Sequence, residues 1–107
     1  MTKRTYRTLD DIESDYFRKN PDEIDAYIDE IFDEYAQTAD TAALLSSLRT
    51  IAKVKGITDI AGQVGITRQG LQKALSSKGN PRFENINAIM QAIGYKLIPQ
   101  KLQHHPL

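Results

Sequence analysis

The stretch Thr58-Asp-Ile-Ala-Gly-Gln-Val-Gly-Ile-Thr-Arg-Gln-Gly-Leu-Gln-Lys-Ala-Leu constrains the fold of this chain more than any other. Its apolar residues recur at helical spacing on both sides of Gly65, but neither side is long. Thr58 to Val64 reads as a short helix closed by Gly65, because a reversal there needs a positive φ that glycine adopts most easily. Thr67 caps a second helix from Arg68 to about Ser76. Ala61 sits where the two helices cross, and its small side chain permits close approach. Ile60, Val64, Ile66, Leu71 and Leu75 supply the apolar contacts that fix the angle. A helix-turn-helix over about Ile57 to Leu75 is therefore expected, with its second helix starting just after Thr67.

That second helix leaves Arg68, Gln69, Gln72 and Lys73 facing outward. Arginine matches guanine in the major groove and glutamine matches adenine. Thr67 heads a helix whose free N–H groups suit a phosphate oxygen. No side chain on this face is acidic, so it would not repel DNA. The plainer alternative is a solvated helix face. Asn80 and Arg82, in the Ser77-Lys-Gly-Asn-Pro loop region that also holds Lys78, suit local turn structure and DNA contact equally, since asparagine before proline is a common turn arrangement.

Charge sharpens this picture. The formal net charge is zero, which taken alone argues against a nucleic-acid partner. Residues 1–40, however, hold twelve of the 14 acidic residues and five basic ones, a net of −7. Residues 41–107 hold nine basic residues and only Asp59 and Glu84, a net of +7. Such asymmetry is a hint of a nucleic-acid-binding part joined to an acidic part, against the alternative of two ordinary solvated faces.

The remaining sequence fits an all-α chain of five or six helices. The 107 residues suffice for one compact domain plus a short extension. Residues 1–8 form a polar, basic arm. Thr8 caps a helix from Leu9 to about Lys19. Asn20 caps a second helix with Pro21 in its first position. There Ile24, Tyr27, Ile28, Ile31, Phe32 and Tyr35 make an apolar stripe opposite Asp25, Asp29, Asp33 and Glu34. A third helix runs from Asp40 to Lys55 and ends at Gly56. A last helix covers Phe83 to Ile93. Tyr95-Lys-Leu-Ile alternates like a short strand ended by Pro99. The expected division is an arm with acidic helices over 1–39, a DNA-binding domain over 40–98 and a flexible tail over 99–107.

The acidic helix has three possible roles: a solvated face, a surface for a basic protein partner through Asp25, Asp29 and Asp33, or paired carboxylates for a metal or acid–base chemistry. The last lacks a pocket at i, i+4 spacing on an exposed helix. There are no cysteines, so neither a disulfide nor a structural zinc site is expected. His104 and His105 fall in a polar tail. No nucleophile–base spacing and no phosphate-binding glycine loop is present, and neither an enzyme nor a cofactor is expected. No apolar run approaches the ~18 residues of a membrane span, and Met1 to Arg7 lacks the apolar stretch of a signal peptide. A cytoplasmic protein is the default expectation.

On Ala61, Gly65, Ile66, Thr67, Leu71 and Leu75, with Ala92-Ile-Gly downstream, the chain resembles the lambda-repressor-like, Cro-type helix-turn-helix family. The resemblance implies that Arg68, Gln69 and Lys73 read bases and that Lys78, Asn80 and Arg82 touch the backbone or minor groove. Many members carry a glutamine on phosphate near the start of the first motif helix; Ile57-Thr58-Asp59 stands there instead. Residues 9–97 further resemble the addiction-module antidote proteins, a HigA-like antitoxin branch. That likeness rests on Pro21-Asp-Glu-Ile-Asp-Ala-Tyr-Ile-Asp-Glu, Leu44-Leu-Ser-Ser-Leu-Arg-Thr-Ile-Ala-Lys, Leu71-Gln-Lys-Ala-Leu-Ser and Gly79-Asn-Pro-Arg-Phe. It implies an antitoxin that binds a small, basic RelE/HigB-like toxin and represses their shared promoter; the alternatives are a stand-alone DNA-binding regulator with no active toxin partner and a protein-interaction module whose main role is toxin neutralisation. One helix-turn-helix reads few base pairs, so a homodimer on a palindromic operator is expected, with half-sites ~34–36 Å apart. The strand at 95–98 would pair between the subunits.

Overall fold

Six α-helices build the chain in a computed structural model that describes residues 8–103. They are α1 (Leu9–Lys19), α2 (Ile24–Thr38), α3 (Thr41–Lys55), α4 (Ile57–Val64), α5 (Arg68–Ala74) and α6 (Phe83–Ile93), with a single 3-10 turn at Pro21–Glu23 leading into α2. The basic arm at 1–7 and the histidine pair at 104–105 lie outside the described residues.

Local chemistry sets most of the boundaries. At the head of α1 the Thr8 hydroxyl accepts from the Asp11 N–H at 3.1 Å, and the Asp11 carboxylate accepts from the Thr8 N–H at 3.1 Å. This reciprocal pair satisfies two of the orphan donors of a helix start. It also holds the Asp11 carboxyl below its ordinary value, chiefly through the Thr8 backbone N–H. Asp40 caps α3 by accepting from the Ala43 N–H. Pro21 sits at the first position of the turn after Asn20, as expected, but that turn is 3-10 and α2 proper begins at Ile24. Gly56, Gly65 and Gly94 take positive φ where α3, α4 and α6 stop. Ala39 takes the same left-handed form after α2, at φ 55°.

A single apolar cluster runs through all the layers. It holds Phe17 of α1, Ile24, Ile28 and Ile31 of α2, Leu44, Leu45, Leu48 and Ile51 of α3, Ile60 of α4, Leu71 of α5, Leu75, and Ile89, Met90 and Ile93 of α6. Helix α3 is central: α1, α2, α4 and α6 all pack against it. Between α1 and α3 the contact is polar as well. Asp10 pairs with Arg49 at 2.6 Å and Lys53 at 3.7 Å. The buried Ser14 hydroxyl bonds the carbonyls of Asp10 and Thr50. No buried side-chain polar atom among the described residues lacks a partner, as native packing requires.

The expected strand at 95–98 is absent: no strand occurs among the described residues. A strand needs a second backbone to hydrogen-bond with, and this segment has none beside it among the described residues. It lies against helices instead. The Tyr95 N–H closes on the Met90 carbonyl, the Tyr95 hydroxyl donates to Asp25 of α2, and Leu97 packs on the core. Its alternation arises because Tyr95 and Leu97 turn inward while Lys96 and Ile98 face out.

Candidate nucleic-acid interface

Helices α4 and α5 meet across the turn Gly65–Thr67. Gly65, at φ 86°, ends α4 by donating to the Ala61 carbonyl at 2.9 Å, and the Ile66 N–H bonds the same carbonyl at 3.0 Å. Ala61 is thus both the small residue facing the core and the acceptor that closes the turn. The Thr67 hydroxyl accepts from the Gly70 N–H at 2.9 Å. A Cβ on residue 70 would lie 3.0 Å from that hydroxyl, so glycine there keeps the cap open. Leu71 and Leu75, both fully buried, dock α5 on the core.

The side chains left on the outer face of α5 are Arg68, Gln69, Gln72 and Lys73, all exposed. Arg68 is not free in solvent. Its Nη1 donates to the Thr58 hydroxyl of α4 at 3.0 Å. A guanidinium keeps four further N–H donors when one is used, and the tether restricts its rotamers. Sequence reasoning does not single out Thr58 as a functional residue. A signal for it exists: Thr58 lies in the segment where the family resemblance places a polar contact, and it supplies a hydroxyl there.

The loop after α5 folds back on the same helix. The Gly79 N–H donates to the Ser76 carbonyl at 2.9 Å. A Cβ at position 79 would meet the Ala74 carbonyl oxygen at 2.3 Å and the Lys73 carbonyl oxygen at 2.8 Å, so only glycine fits. This contact keeps Lys78 and Asn80, both exposed, close to the C-terminal end of α5. Arg82 caps α6 with its backbone and reaches Glu84 at 3.7 Å, with both side chains largely in solvent. A surface pair of this kind contributes little and leaves Arg82 available. Around α4, α5 and the loop the basic residues Arg68, Lys73, Lys78 and Arg82 outnumber Asp59 and Glu84.

The acidic trio of α2 does not behave as one set. Asp25, Asp29 and Asp33 are all exposed on one face. Asp25 accepts the Tyr95 hydroxyl and so anchors the segment after α6. Burial, then the Asp25 bond and the charges of Asp25 and Asp29, push the Tyr95 phenol up to about 12. Asp29 and Asp33 instead border an open groove of about 500 Å³ with Lys96 and Ile98. Among the described residues no group of His, Cys, Asp or Glu is arranged to hold a metal, and no helix is long and apolar enough to cross a membrane.

Similarity to known proteins extends over most of the chain. A family described as "Probable addiction module antidote protein" matches residues 8–101. A relative from Haemophilus influenzae, described only as an uncharacterized protein, is 36% identical over 80 residues, which cover 75% of this chain and 78% of the relative. No solved structure matches.

Proposed function

The chain belongs to the family of probable addiction module antidote proteins, and from that footing we propose that it is an antitoxin that also binds DNA, repressing its own operon through α4 and α5. The antidote family implies a toxin partner. The lambda-repressor-like helix-turn-helix is the α4–α5 pair. Arg68, Gln69 and Lys73 contact base edges, Gln72 and the backbone at Thr67 lie alongside, and Lys78, Asn80 and Arg82 contact phosphates or the minor groove. The observation that carries this proposal is α5 itself. It is seated by fully buried Leu71 and Leu75 while every long side chain on its outer face is a cationic or amide donor. Bidentate contacts of that kind are worth ~1–3 kcal/mol each in base discrimination.

Two copies on a palindromic operator supply the affinity that one short recognition helix lacks. The division of labour follows the charge: residues 40–98 for DNA, residues 1–39 for a small basic toxin of the RelE/HigB kind. Asp29 and Asp33 are the better toxin-facing carboxylates of α2, because Asp25 is already engaged by Tyr95. Complementary charge of this sort sets association rate and partner choice.

One pair of variants separates the two tasks. Arg68→Ala with Gln69→Ala is expected to lose binding to a labelled duplex of the DNA upstream of the gene. It should still capture the product of the adjacent reading frame. Asp29→Lys with Asp33→Lys is expected to do the reverse. An α5 double variant that shifts the duplex like the parent contradicts the DNA assignment. Unchanged capture by the α2 variant contradicts the toxin surface.

A further inference from the structure

Helix α1 is apolar on two sides. Phe17 and the buried Ser14 face the core. Leu9, Ile12 and Tyr16 stand on the opposite side and are 70%, 53% and 49% exposed. Their spacing, i, i+3 and i+7, sets them in one stripe along the helix. None of the three is part of the core cluster. Apolar side chains scattered singly over a surface are ordinary, but three in one row on an 11-residue helix mark a contact surface. Among the described residues only Phe83, Ile98 and Leu102 are large, apolar and likewise exposed, at the start of α6 and beyond its end.

Carboxylates border the stripe. By helical spacing Glu13 lies along one flank and Asp15, paired with Arg18 at 2.8 Å, along the other. The Tyr16 hydroxyl donates to Glu23 at 2.5 Å, which sets a third carboxylate at the C-terminal end of the stripe. Glu13 accepts the Tyr27 hydroxyl of α2 at 3.4 Å, and Glu30 of α2 is close enough to act on the same phenol. The rim of the stripe thus continues into the acidic surface of α2. Residues 8–40 as a whole hold twelve carboxylates against Arg18 and Lys19, a net of −10. That charge decides among occupants. It repels a second copy of the same face, duplex DNA and an anionic lipid surface alike, and it attracts a basic protein.

We propose that the face of α1 formed by Leu9, Ile12 and Tyr16 is the apolar anchor for the basic toxin, with the carboxylates around it and on α2 as the charged rim; this rests on the toxin role proposed above for the acidic half. The toxin surface then spans α1 and α2, with a different task for each. Charge on the rim governs the rate of encounter and its salt dependence. Apolar side chains that lose their water at the centre govern how long the complex lasts. The matching surface of the partner is an apolar patch framed by lysine and arginine.

The test measures binding of the purified product of the adjacent reading frame to the immobilised full chain by biolayer interferometry, over a series of salt concentrations. The variants are Leu9→Gln with Ile12→Gln on α1, and Asp29→Lys with Asp33→Lys on α2. Glutamine is a good helix former, both α1 positions lie outside the core cluster, and circular dichroism melting checks the fold. The α1 variant is expected to bind about tenfold or more weakly through faster dissociation, with the association rate and its salt dependence near those of the parent. The α2 variant is expected to lose association rate instead. As a second measurement, benzoylphenylalanine placed at position 12 should crosslink to the same partner on irradiation. An α1 variant that dissociates like the parent, or no crosslink from position 12 in a complex that forms, overturns the anchor and leaves α2 standing. A dimer of the parent alone that the α1 variant splits, read by analytical ultracentrifugation, gives the stripe to a second copy and overturns the anchor as well. A parent that does not bind the partner overturns the anchor together with the toxin role on which it rests.

Discussion

Gly79 shows how one residue can hold a loop against a helix. A side chain there would press into the Ala74 and Lys73 carbonyls, so its absence lets the loop lie against the end of α5. Gly79→Ala is expected to destabilise the fold by roughly 1–3 kcal/mol, as overpacking does, read as a lower urea midpoint. It should weaken DNA binding beyond the loss of stability, because Lys78 and Asn80 move away from α5. An unchanged midpoint would mean that the loop does not depend on this approach. The sequence marks Gly79-Asn-Pro as a turn, but the requirement for glycine arises from a contact with the preceding helix, which composition does not display. The Arg68–Thr58 bond is hidden for the same reason: it joins two helices ten residues apart. By contrast, the Thr8 and Thr67 caps are legible because each acts within three residues of itself.

At the scale of elements, helices are legible wherever a cap and an apolar period coincide. The bounds of α1 and α6 fall where the sequence places them, and α3 ends at Lys55 as expected but begins at Thr41, with Asp40 as its cap and not its first residue. The segment after α6 is not legible, since alternation alone cannot tell a paired strand from an extended segment lying on a helix. Here Tyr95 latches that segment to Asp25. The phenol is raised from its ordinary value near 10 to about 12, so the folded state favours the neutral form. The latch therefore contributes its full stability below pH 10 and loses it as pH rises from 10 toward 12. A tyrosinate absorbance titration should show a late-titrating phenol that disappears in Tyr95→Phe. The stability difference between the parent and Tyr95→Phe should hold steady below about pH 10 and shrink above it. A phenol at position 95 that ionises at its ordinary value would contradict the latch.

Across the whole molecule, acidic and basic halves share one core, from Phe17 of α1 to Ile93 of α6. The charge split legible in the sequence is thus a division of surface over a continuous interior. The antidote family extends over residues 8–101 and so covers both halves, which suits a protein with two partners. In the proposed account, the basic surface around α5 takes DNA and the α2 face takes the toxin. Backbone amide shift mapping tests this central claim most directly, with the labelled full chain titrated by the upstream duplex. The largest changes should fall at Thr67–Lys73 and around Lys78–Arg82, with the outer face of α2 at Asp29 and Asp33 unmoved. Shifts centred on α2, or none on α5 at saturating duplex, would contradict it.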